Sequence, residues 1–352
     1  MALYIKAAQA ISPQDTFLKS GLFEVVNSYD SVFECVLPSF KKYFSPIESR
    51  RSNKAIKMGY SCALETLAEA NLESPDAIIT GSGLGGVSDT EKLLNTMLLT
   101  QEGTLSPTPF IQSTHNIIGA MVAQNKKCHN YNVIYAHKTA SFEHALMDAL
   151  MLEAEGSAKE ILTGGYDELT SENYNLKKLA GKYKKESCTT SDILHSNSDG
   201  SIAGEGSAFF VLSNENSENK VQVVDVATLS FENEIGNIEN WITSFLSQNK
   251  LEIGDINNVM LGINGDAEGD ACYYSLMKSY FKYCNHLYYK HLCGEYDTAS
   301  TFAVWMSNHI LRNKSIPEFA VIKRNNSNIN NILIYNQERG SNHALILLRT
   351  NS

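Results

Sequence analysis

The stretch HKTASFEHAL, residues 137–146, places two hydroxyl groups and two imidazole groups within ten positions. It follows the short run 132–136 and begins a segment of helical periodicity, which predicts a turn between a strand and a helix. Thr139 or Ser141 could cap that helix, with the Ser141 oxygen accepting a hydrogen bond from an amide of the first turn. Either residue could instead be a nucleophile whose charge the helix N-terminus stabilises. Capping hydroxyls greatly outnumber attacking ones, so the local pattern favours a cap.

The glycine-rich stretch GSGLGG, residues 81–86, formally matches the dinucleotide-binding fingerprint GxGxxG. It follows the apolar run AIIT and precedes a predicted helix, which is the context that the fingerprint requires. The fingerprint also needs an acidic residue at the end of the second strand, about 20 residues further on. Glu102 has this spacing but lies in the turn sequence QEGTLSP. We therefore interpret GSGLGG as a glycine turn.

Cysteine and histidine residues show no spacing typical of a metal site or a disulfide framework. The seven cysteines include no CxxC pair, and the nine histidines include no HExxH motif. An odd number of scattered cysteines is typical of reduced thiols in a cytosolic protein. The sequence therefore predicts no disulfide, no metal site and no cofactor.

The net charge of −10 disfavours nucleic acids and anionic membranes as partners. Lysines cluster at 177–185 and a smaller basic group lies at 50–54; each is interpreted as a solvated face or, less simply, as a docking patch for an acidic partner. The N-terminal MALYIKAAQAI is too short and too polar for a signal peptide. No apolar run approaches the roughly 18 residues that cross a bilayer. We expect a cytoplasmic protein.

Apolar runs and amphipathic segments alternate along the chain, which indicates an α/β fold. Predicted strands lie at 3–8, 77–80, 133–136, 160–163, 208–212, 221–227, 259–263, 332–335 and 344–348. Predicted helices lie at 55–70, 89–99, 142–155, 238–247, 274–281 and 298–311. The polar segment 214–220 is interpreted as a linker between one half at 1–213 and another at 221–352. The last two strands should form a hairpin with Gly340 in its turn.

Seven motifs in a fixed order resemble the β-ketoacyl synthase family over nearly the whole chain. They are SPTPFIQSTHNIIGAMVA (106–123), HKTASFEHAL, GGYDE (164–168), DGSIAGEGSAFFVL (199–212), INGD (263–266), KHLCGEYDTAS (290–300) and GSNHALILL (340–348). The resemblance implies a thiolase-like fold of two related halves in α-β-α-β-α layers, usually dimeric. It also implies that GSGLGG is the turn after an early strand.

The chain departs from the family at each catalytic position. The family's cysteine nucleophile aligns with Thr139, and its two catalytic histidines align with Asn264 and Glu295. The lysine that precedes the second histidine is retained as Lys290, whereas the glycine-rich GFGG gate is replaced by NQERG. A threonine alcohol needs an adjacent base, and a carboxylate at Glu295 would repel a developing anion. Losing a nucleophile with its partners typically removes about 10⁶-fold of rate, so we expect no condensing activity.

The resemblance then implies a subunit like a chain length factor, which pairs with an active β-ketoacyl synthase and contacts acyl carrier protein only indirectly. Such pairs make fatty acids, polyketides or polyenes, including aryl-polyene or flexirubin-type pigments. The residues implied to line the dimer interface and the far end of the acyl tunnel are Phe110, Ile111, His115, Asn116 and Ile118. Two alternatives stay open. One is an acyltransferase or hydrolase that uses Thr139 or Ser141, and the other is a homodimer that binds acyl groups alone.

Overall fold

The computed structural model describes residues 2–23, 26–216, 220–325 and 328–350. The first half contains β1 (Leu3–Ile11), β2 (Val32–Phe33), α1 (Pro46–Arg51), α2 (Lys54–Glu69), β3 (Ala77–Gly81), α3 (Val87–Leu99), α4 (Pro107–Ser113), α5 (Ile117–Lys126), β4 (Tyr131–Tyr135), α6 (Ser141–Ala154), β5 (Glu160–Asp167), α7 (Ser171–Leu179), β6 (Ala203–Gly204) and β7 (Gly206–Ser213). The second half contains β8 (Val221–Ser230), α8 (Ile235–Gln248), β9 (Asn258–Leu261), α9 (Ala267–Lys278), β10 (Asn285–Tyr288), α10 (Lys290–Cys293), α11 (Ser300–Asn313), β11 (Val321–Lys323), β12 (Asn331–Glu338) and β13 (Asn342–Thr350).

Eleven of these strands form one continuous sheet in the order β11-β10-β9-β12-β13-β8-β1-β7-β5-β3-β4. β1 and β8 join the two halves by antiparallel pairing, with Leu3 opposite Val223. β2 and β6 form a separate parallel pair. β4 lies at one end of the large sheet, so one of its edges pairs with no other strand in the described part of the chain.

The two halves repeat one strand arrangement. In the first half, β1 pairs antiparallel with β7, β7 pairs antiparallel with β5, and β5, β3 and β4 run parallel. In the second half, β8 pairs antiparallel with β13, β13 pairs antiparallel with β12, and β12, β9 and β10 run parallel. The chain therefore consists of two related halves. Their ends at 213 and 221 stay a prediction, because residues 217–219 of the proposed linker lie outside the described residues.

Two helices, α6 and α11, lie between the strands of the first half and the strands of the second half. α6 contacts β3, β5 and β8, and α11 contacts β7, β12 and α6. All residues of α11 from Ser300 to Leu311 are buried, as expected for a helix that is covered on both sides. α2 packs on the outer face of the first half, and α8 and α9 share an apolar cluster with β9 and β12 on the outer face of the second. The layers therefore follow the order α-β-α-β-α.

The nine predicted strands and six predicted helices are present with shifted ends. Gly156, with a φ of 72°, follows α6 at the predicted helix end, and Gly340, with a φ of 71°, lies in the turn of the β12–β13 hairpin. The helix predicted at 274–281 instead spans Ala267–Lys278, because AEGDA at its start lacks apolar periodicity. The pattern of apolar residues did not predict four short strands, β2, β6, β10 and β11, or five helices, α1, α4, α5, α7 and α10. In the described part of the chain, none of the helices is long and apolar enough to cross a membrane.

The GSGLGG stretch forms a tight turn between β3 and α3, as predicted. Gly85 has a φ of 66°, which favours glycine, and a Cβ there would lie 2.9 Å from the carbonyl oxygen of Ser113. At Gly83, a Cβ would overlap the side chain of Asp297. The glycines therefore permit close packing against neighbouring segments. Glu102 lies in an exposed turn after α3.

Candidate functional site

The turn between β4 and α6 exposes one of its two hydroxyls and buries the other. A short 3-10 helix, Lys138–Ala140, connects the two elements, and Lys138 has a left-handed φ of 49°. Ser141 is completely buried; its oxygen accepts a hydrogen bond from the His137 amide at 2.8 Å and its hydroxyl lies 2.6 Å from the carbonyl of Lys138. The prediction of a helix cap is therefore wrong. Ser141 is the first residue of α6, and its side chain bonds to the preceding turn instead of to an amide of the first helical turn. Thr139 is partly exposed.

Two cavities meet at Thr139. The larger has a volume of about 460 Å³ and the smaller about 70 Å³, and Thr139, Gln337 and Glu338 line both. The other residues that line the larger cavity are Ala136, His137, Lys138, Ala140, Thr228, Ser230, Phe231, Asn336, Asn342, His343 and Ala344. Those that line the smaller one are Lys177, Lys182, Tyr183, Ser201, Asn264, Asp266, Gly269, Glu295, Tyr296, Asp297 and Arg339. The fold therefore brings Thr139, Asn264 and Glu295 to one site.

Asn264, Glu295 and Lys290 form one hydrogen-bonded network. The amide of Asn264 donates to Oε2 of Glu295 at 2.5 Å, and the ammonium of Lys290 lies 2.6 Å from the same oxygen. Lys290 is almost completely buried. A carboxylate that already binds a cation and an amide is held in place. The sequence predicted the positions of these residues but not their mutual contacts.

Asp270 holds the turn that carries Asn264. Its carboxylate accepts hydrogen bonds from the backbone amides of Asn264 at 3.2 Å and Gly265 at 2.7 Å. Burial raises the pKa of Asp270 to about 7, although these amides favour the charged form. Gln337 lies against the same helix, because its side-chain amide donates to the carbonyl of Gly269 at 2.8 Å. Asp270 on α9 thus holds the turn of Asn264, and Gln337 joins β12 to the same helix.

Glu338 is the principal residue that the sequence did not identify. It ends β12, and the Thr139 hydroxyl donates to its Oε2 at 3.3 Å. Lys182 lies 3.6 Å from the other carboxylate oxygen, Oε1. The neighbouring Arg339 lies 3.6 Å from Asp266 and donates to the carbonyl of Gly181. The tip of the β12–β13 hairpin, which the resemblance aligns with the family's glycine-rich gate, therefore places a carboxylate beside Thr139.

Asp167, from the GGYDE motif, joins three segments behind the site. Its carboxylate accepts hydrogen bonds from Gly83 at 2.8 Å and from the backbone and hydroxyl of Thr298 at 2.8 and 2.7 Å. Burial, and then the neighbouring Asp297 carboxylate, raise the pKa of Asp167 to about 7. This motif therefore has a structural role, since it ties the glycine turn to the start of α11.

The two histidines of the opening stretch differ in position. His137 lines the larger cavity. His144 packs edge-on against Tyr135 and His137 and lies 3.4 Å from the Thr228 hydroxyl. Burial, and then His137, lower the pKa of His144, so the ring is neutral near pH 7. His144 does not line either cavity.

The five residues implied to line the acyl tunnel do not share one environment. Phe110 and Ile111, on α4, are 61% and 53% exposed. His115 and Asn116 are half-buried between α4 and α5. Ile118 is completely buried in the core against α2. We therefore propose the tunnel role only for the other four residues, for which it stays a prediction.

Comparisons with known proteins agree with this architecture. Residues 39–225, more than half of the chain, match the family model for the beta-ketoacyl synthase N-terminal domain. A comparison with curated protein sequences finds no match.

Solved structures resemble the chain over its full length. A β-ketoacyl synthase from Burkholderia phymatum STM815 is 13% identical with a TM-score of 0.81, and all of both chains is covered. The ishigamide ketosynthase/chain length factor is 14% identical with a TM-score of 0.82, covering 100% of this chain and 99% of that one. The ketosynthase ApeO in complex with its chain length factor ApeC from Xenorhabdus doucetiae gives 12% identity, a TM-score of 0.74 and coverage of 99% and 98%. These likenesses establish the thiolase-like fold, and with the family match they show that the chain belongs to the β-ketoacyl synthase family.

Proposed function

We propose that this chain is a non-condensing ketosynthase-like subunit, a chain length factor, that pairs with an active β-ketoacyl synthase and shapes its acyl tunnel. The observation that carries the proposal is the chemistry of Thr139, Asn264 and Glu295, which the resemblance places at the three catalytic positions. Thr139 replaces the family's thiol, and Glu295 is bound by Asn264 and Lys290. None of these groups can serve as the histidine pair that polarises a thioester carbonyl in the family.

The charges around Thr139 support the same conclusion. Glu295 and Glu338 both line the cavity beside its hydroxyl, whereas condensation develops negative charge on the decarboxylated extender unit. Carboxylates at that point raise the energy of an anionic transition state instead of lowering it. A cysteine is reactive because its thiolate is accessible near neutral pH, which a threonine alcohol is not. Condensation is therefore disfavoured at two independent steps.

Exposed apolar side chains on neighbouring elements support pairing. α3 contacts α4, α4 contacts α5, and α5 contacts β4 at the end of the sheet. Large apolar side chains are exposed on these elements: Leu94, Leu98, Phe110, Ile111 and Tyr131. We call them the edge surface. Apolar patches of this kind on soluble proteins typically mark interfaces, and an unpaired strand edge favours association. Solved relatives of this fold include a ketosynthase in complex with its chain length factor.

The experiment is co-expression of this chain with active β-ketoacyl synthases of the same organism, followed by affinity purification and light scattering. We expect a one-to-one complex with one of them. In parallel, the isolated chain is incubated with acyl- and malonyl-carrier protein, and mass spectrometry should detect no β-ketoacyl product. A monomer that ignores every ketosynthase would overturn the pairing role. A stable homodimer that retains acyl groups would favour the stand-alone binding alternative.

A further inference from the structure

Thr139 lies in a turn with the geometry of a nucleophile elbow. The chain leaves β4, passes through the left-handed Lys138 and enters the 14-residue helix α6. A strained turn between a strand and a helix presents a hydroxyl to a cavity in several classes of hydrolase. Here the hydroxyl that reaches the cavities is Thr139, since Ser141 is buried.

The base that a threonine requires is also present. An alcohol becomes a nucleophile when an adjacent group removes its proton, and the nucleophile and base then lie within hydrogen-bond reach, often loosely so before substrate binds. The Thr139 hydroxyl donates to Oε2 of Glu338 at 3.3 Å. The side chain of Glu338 is 25% exposed, so it remains accessible to water.

The surroundings provide room for an acyl group and a cation beside the base. The larger cavity, about 460 Å³, has apolar walls from Ala136, Ala140, Phe231 and Ala344, which suit a short or medium acyl group. The smaller cavity is lined by both cations and carboxylates: Lys177, Lys182, Arg339, Asp266, Glu295, Asp297 and Glu338. Once Glu338 has taken the Thr139 proton it is neutral, so the ammonium of Lys182, 3.6 Å from its Oε1, can stabilise the negative oxygen of a tetrahedral intermediate.

We propose that Thr139 and Glu338 act as nucleophile and general base in the hydrolysis of acyl thioesters. This activity goes beyond the pairing role and does not depend on it. In the first step, the oxygen of Thr139 bonds to the thioester carbonyl carbon while Glu338 takes its proton. The C–S bond then breaks, the sulfur takes the proton from Glu338, and a free thiol leaves an acyl ester on Thr139.

Water completes the cycle. Glu338 takes a proton from a water molecule as its oxygen bonds to the ester carbonyl carbon. The bond between that carbon and the Thr139 oxygen breaks, and the oxygen recovers the proton from Glu338. The net reaction converts one thioester and one water into a carboxylic acid and a thiol, with no oxidant, reductant or metal.

The test measures thiol release from octanoyl-N-acetylcysteamine by the purified chain, with a thiol-reactive dye. We expect hydrolysis above the buffer rate, and an added octanoyl mass on the peptide that contains Thr139 after acid quenching. Thr139→Ala should abolish both signals, and Thr139→Ser should keep both. Glu338→Gln should lower the rate by about 10²-fold, the usual contribution of a general base. Ser247→Ala, an exposed change on α8, serves as the control.

Two outcomes would overturn the inference. One is a wild-type rate equal to that of buffer, which would make the contact between Thr139 and Glu338 a structural hydrogen bond. The other is a Thr139→Ala variant that hydrolyses the thioester as fast as the wild type. Binding of an active ketosynthase is measured on the same samples. A chain that pairs but hydrolyses nothing would overturn this inference alone, and one that hydrolyses but never pairs would overturn the proposed function alone.

Discussion

Oε2 of Glu295 lies 2.6 Å from the ammonium of Lys290 and also accepts the amide hydrogen of Asn264 at 2.5 Å. The side chain of Lys290 is 1% exposed and that of Glu295 is 19% exposed. One carboxylate oxygen thus neutralises a cation that water does not reach. Glu295, which the resemblance aligns with a catalytic histidine of the family, is therefore one partner of an ion pair.

Lys290→Met should destabilise the chain more than the double variant Lys290→Met/Glu295→Gln. Removing one partner of a buried ion pair leaves the other charge without compensation and costs about 3 kcal/mol or more. Replacing both partners leaves no uncompensated charge, so the double variant should recover much of the stability that Lys290→Met loses. Urea unfolding followed by circular dichroism measures both variants.

Lys182→Met is the matched control for this comparison. Lys182 also pairs with a glutamate, but its side chain is 47% exposed and the distance to Glu338 is 3.6 Å. Exposed ion pairs contribute about 0–1 kcal/mol to the free energy of unfolding, so Lys182→Met should lose little stability. If Lys290→Met and Lys182→Met lose equal free energy of unfolding, the assignment of Glu295 to a buried ion pair is contradicted.

Thr139→Cys should not restore condensation. Asn264 and Glu295 still occupy the histidine positions, and Glu338 lies beside the new thiol, where its negative charge disfavours a thiolate. We expect slow alkylation of the variant by iodoacetamide and faster alkylation of Thr139→Cys/Glu338→Gln. Mass spectrometry of reactions with malonyl- and acyl-carrier protein should show no β-ketoacyl product from either. Fast alkylation of the single variant would show that Glu338 does not control this site.

Much of the fold follows from local patterns. Alternating apolar runs and amphipathic helices were sufficient for the α/β class and for nine of the thirteen strands in the described part of the chain. β10 was missed because its sequence NHLY has no apolar run: Asn285 is buried through a 2.8 Å bond to Asn258, and His286 through one to the Phe281 carbonyl. α7 was missed because none of its residues is buried. Such elements depend on tertiary contacts that a local pattern does not contain.

The site was only partly predictable for a related reason. The order of motifs located Thr139, Asn264, Glu295 and Lys290, although not their contacts. Nothing in the local sequence marks Glu338 as a site residue, since a glutamate near a hairpin turn is ordinarily a solvated residue. It reaches Thr139 only because β12 ends beside the β4–α6 turn, 199 residues away in the sequence.

The contribution of Glu143 to stability should fall as the pH rises from 5 to 8. Burial raises the pKa of Glu143 from 4.5 to about 7, against the opposing effect of Ser300. The folded state therefore holds a proton that the unfolded state releases between these values, and stability falls as pH rises through this window. A shift of this size corresponds to a loss on the order of 3 kcal/mol at pH 8. Glu143→Gln should remove that part of the slope, as measured by urea unfolding at several pH values.

Glu155→Gln is the control for this pH dependence, because Glu155 is exposed just after the same helix. This variant should leave the dependence of the unfolding free energy on pH unchanged. Burial also raises the pKa of Asp270 and Asp167 to about 7 and lowers the pKa of His291 to about 3 and of His309 to about 4, so Glu143→Gln should change the pH dependence by the Glu143 contribution alone. A slope identical in Glu143→Gln and wild type would contradict an elevated pKa at Glu143.

Phe110→Ser/Ile111→Ser should weaken the complex with an active ketosynthase at least tenfold without altering the stability of the isolated chain. Both side chains are mostly exposed on α4, so their removal leaves no internal cavity, whereas an interface would lose their apolar contacts. Leu179→Ser is the control, because Leu179 is 84% exposed on α7, outside the edge surface. Affinities by interferometry and unfolding curves separate the two effects; equal weakening by all variants would exclude the edge surface as the interface.

Changes at Phe110 and His115 should alter the length of the products that the pair makes. The carbonyl of His115 accepts a hydrogen bond from the buried Tyr166, so its backbone is anchored while its side chain stays half-buried. Each methylene of an acyl chain buried in a tunnel gains about 0.8 kcal/mol. A side chain that blocks two carbons therefore changes the preferred length by about tenfold, since one decade corresponds to roughly 1.4 kcal/mol. Phe110→Ala or His115→Ala should lengthen the products, and tryptophan at either position should shorten them.

Product profiles and complex affinity must be measured on the same variants, because both residues lie near the edge surface. If they only hold the two subunits together, alanine will weaken assembly and leave the product distribution of the remaining complex unchanged. If they end the tunnel, the distribution will shift at protein concentrations that saturate the complex, while the first condensation keeps its rate. Ile118→Val is the internal control, since Ile118 lies in the core of its own chain: it should lower stability by about 1 kcal/mol and leave product length unchanged.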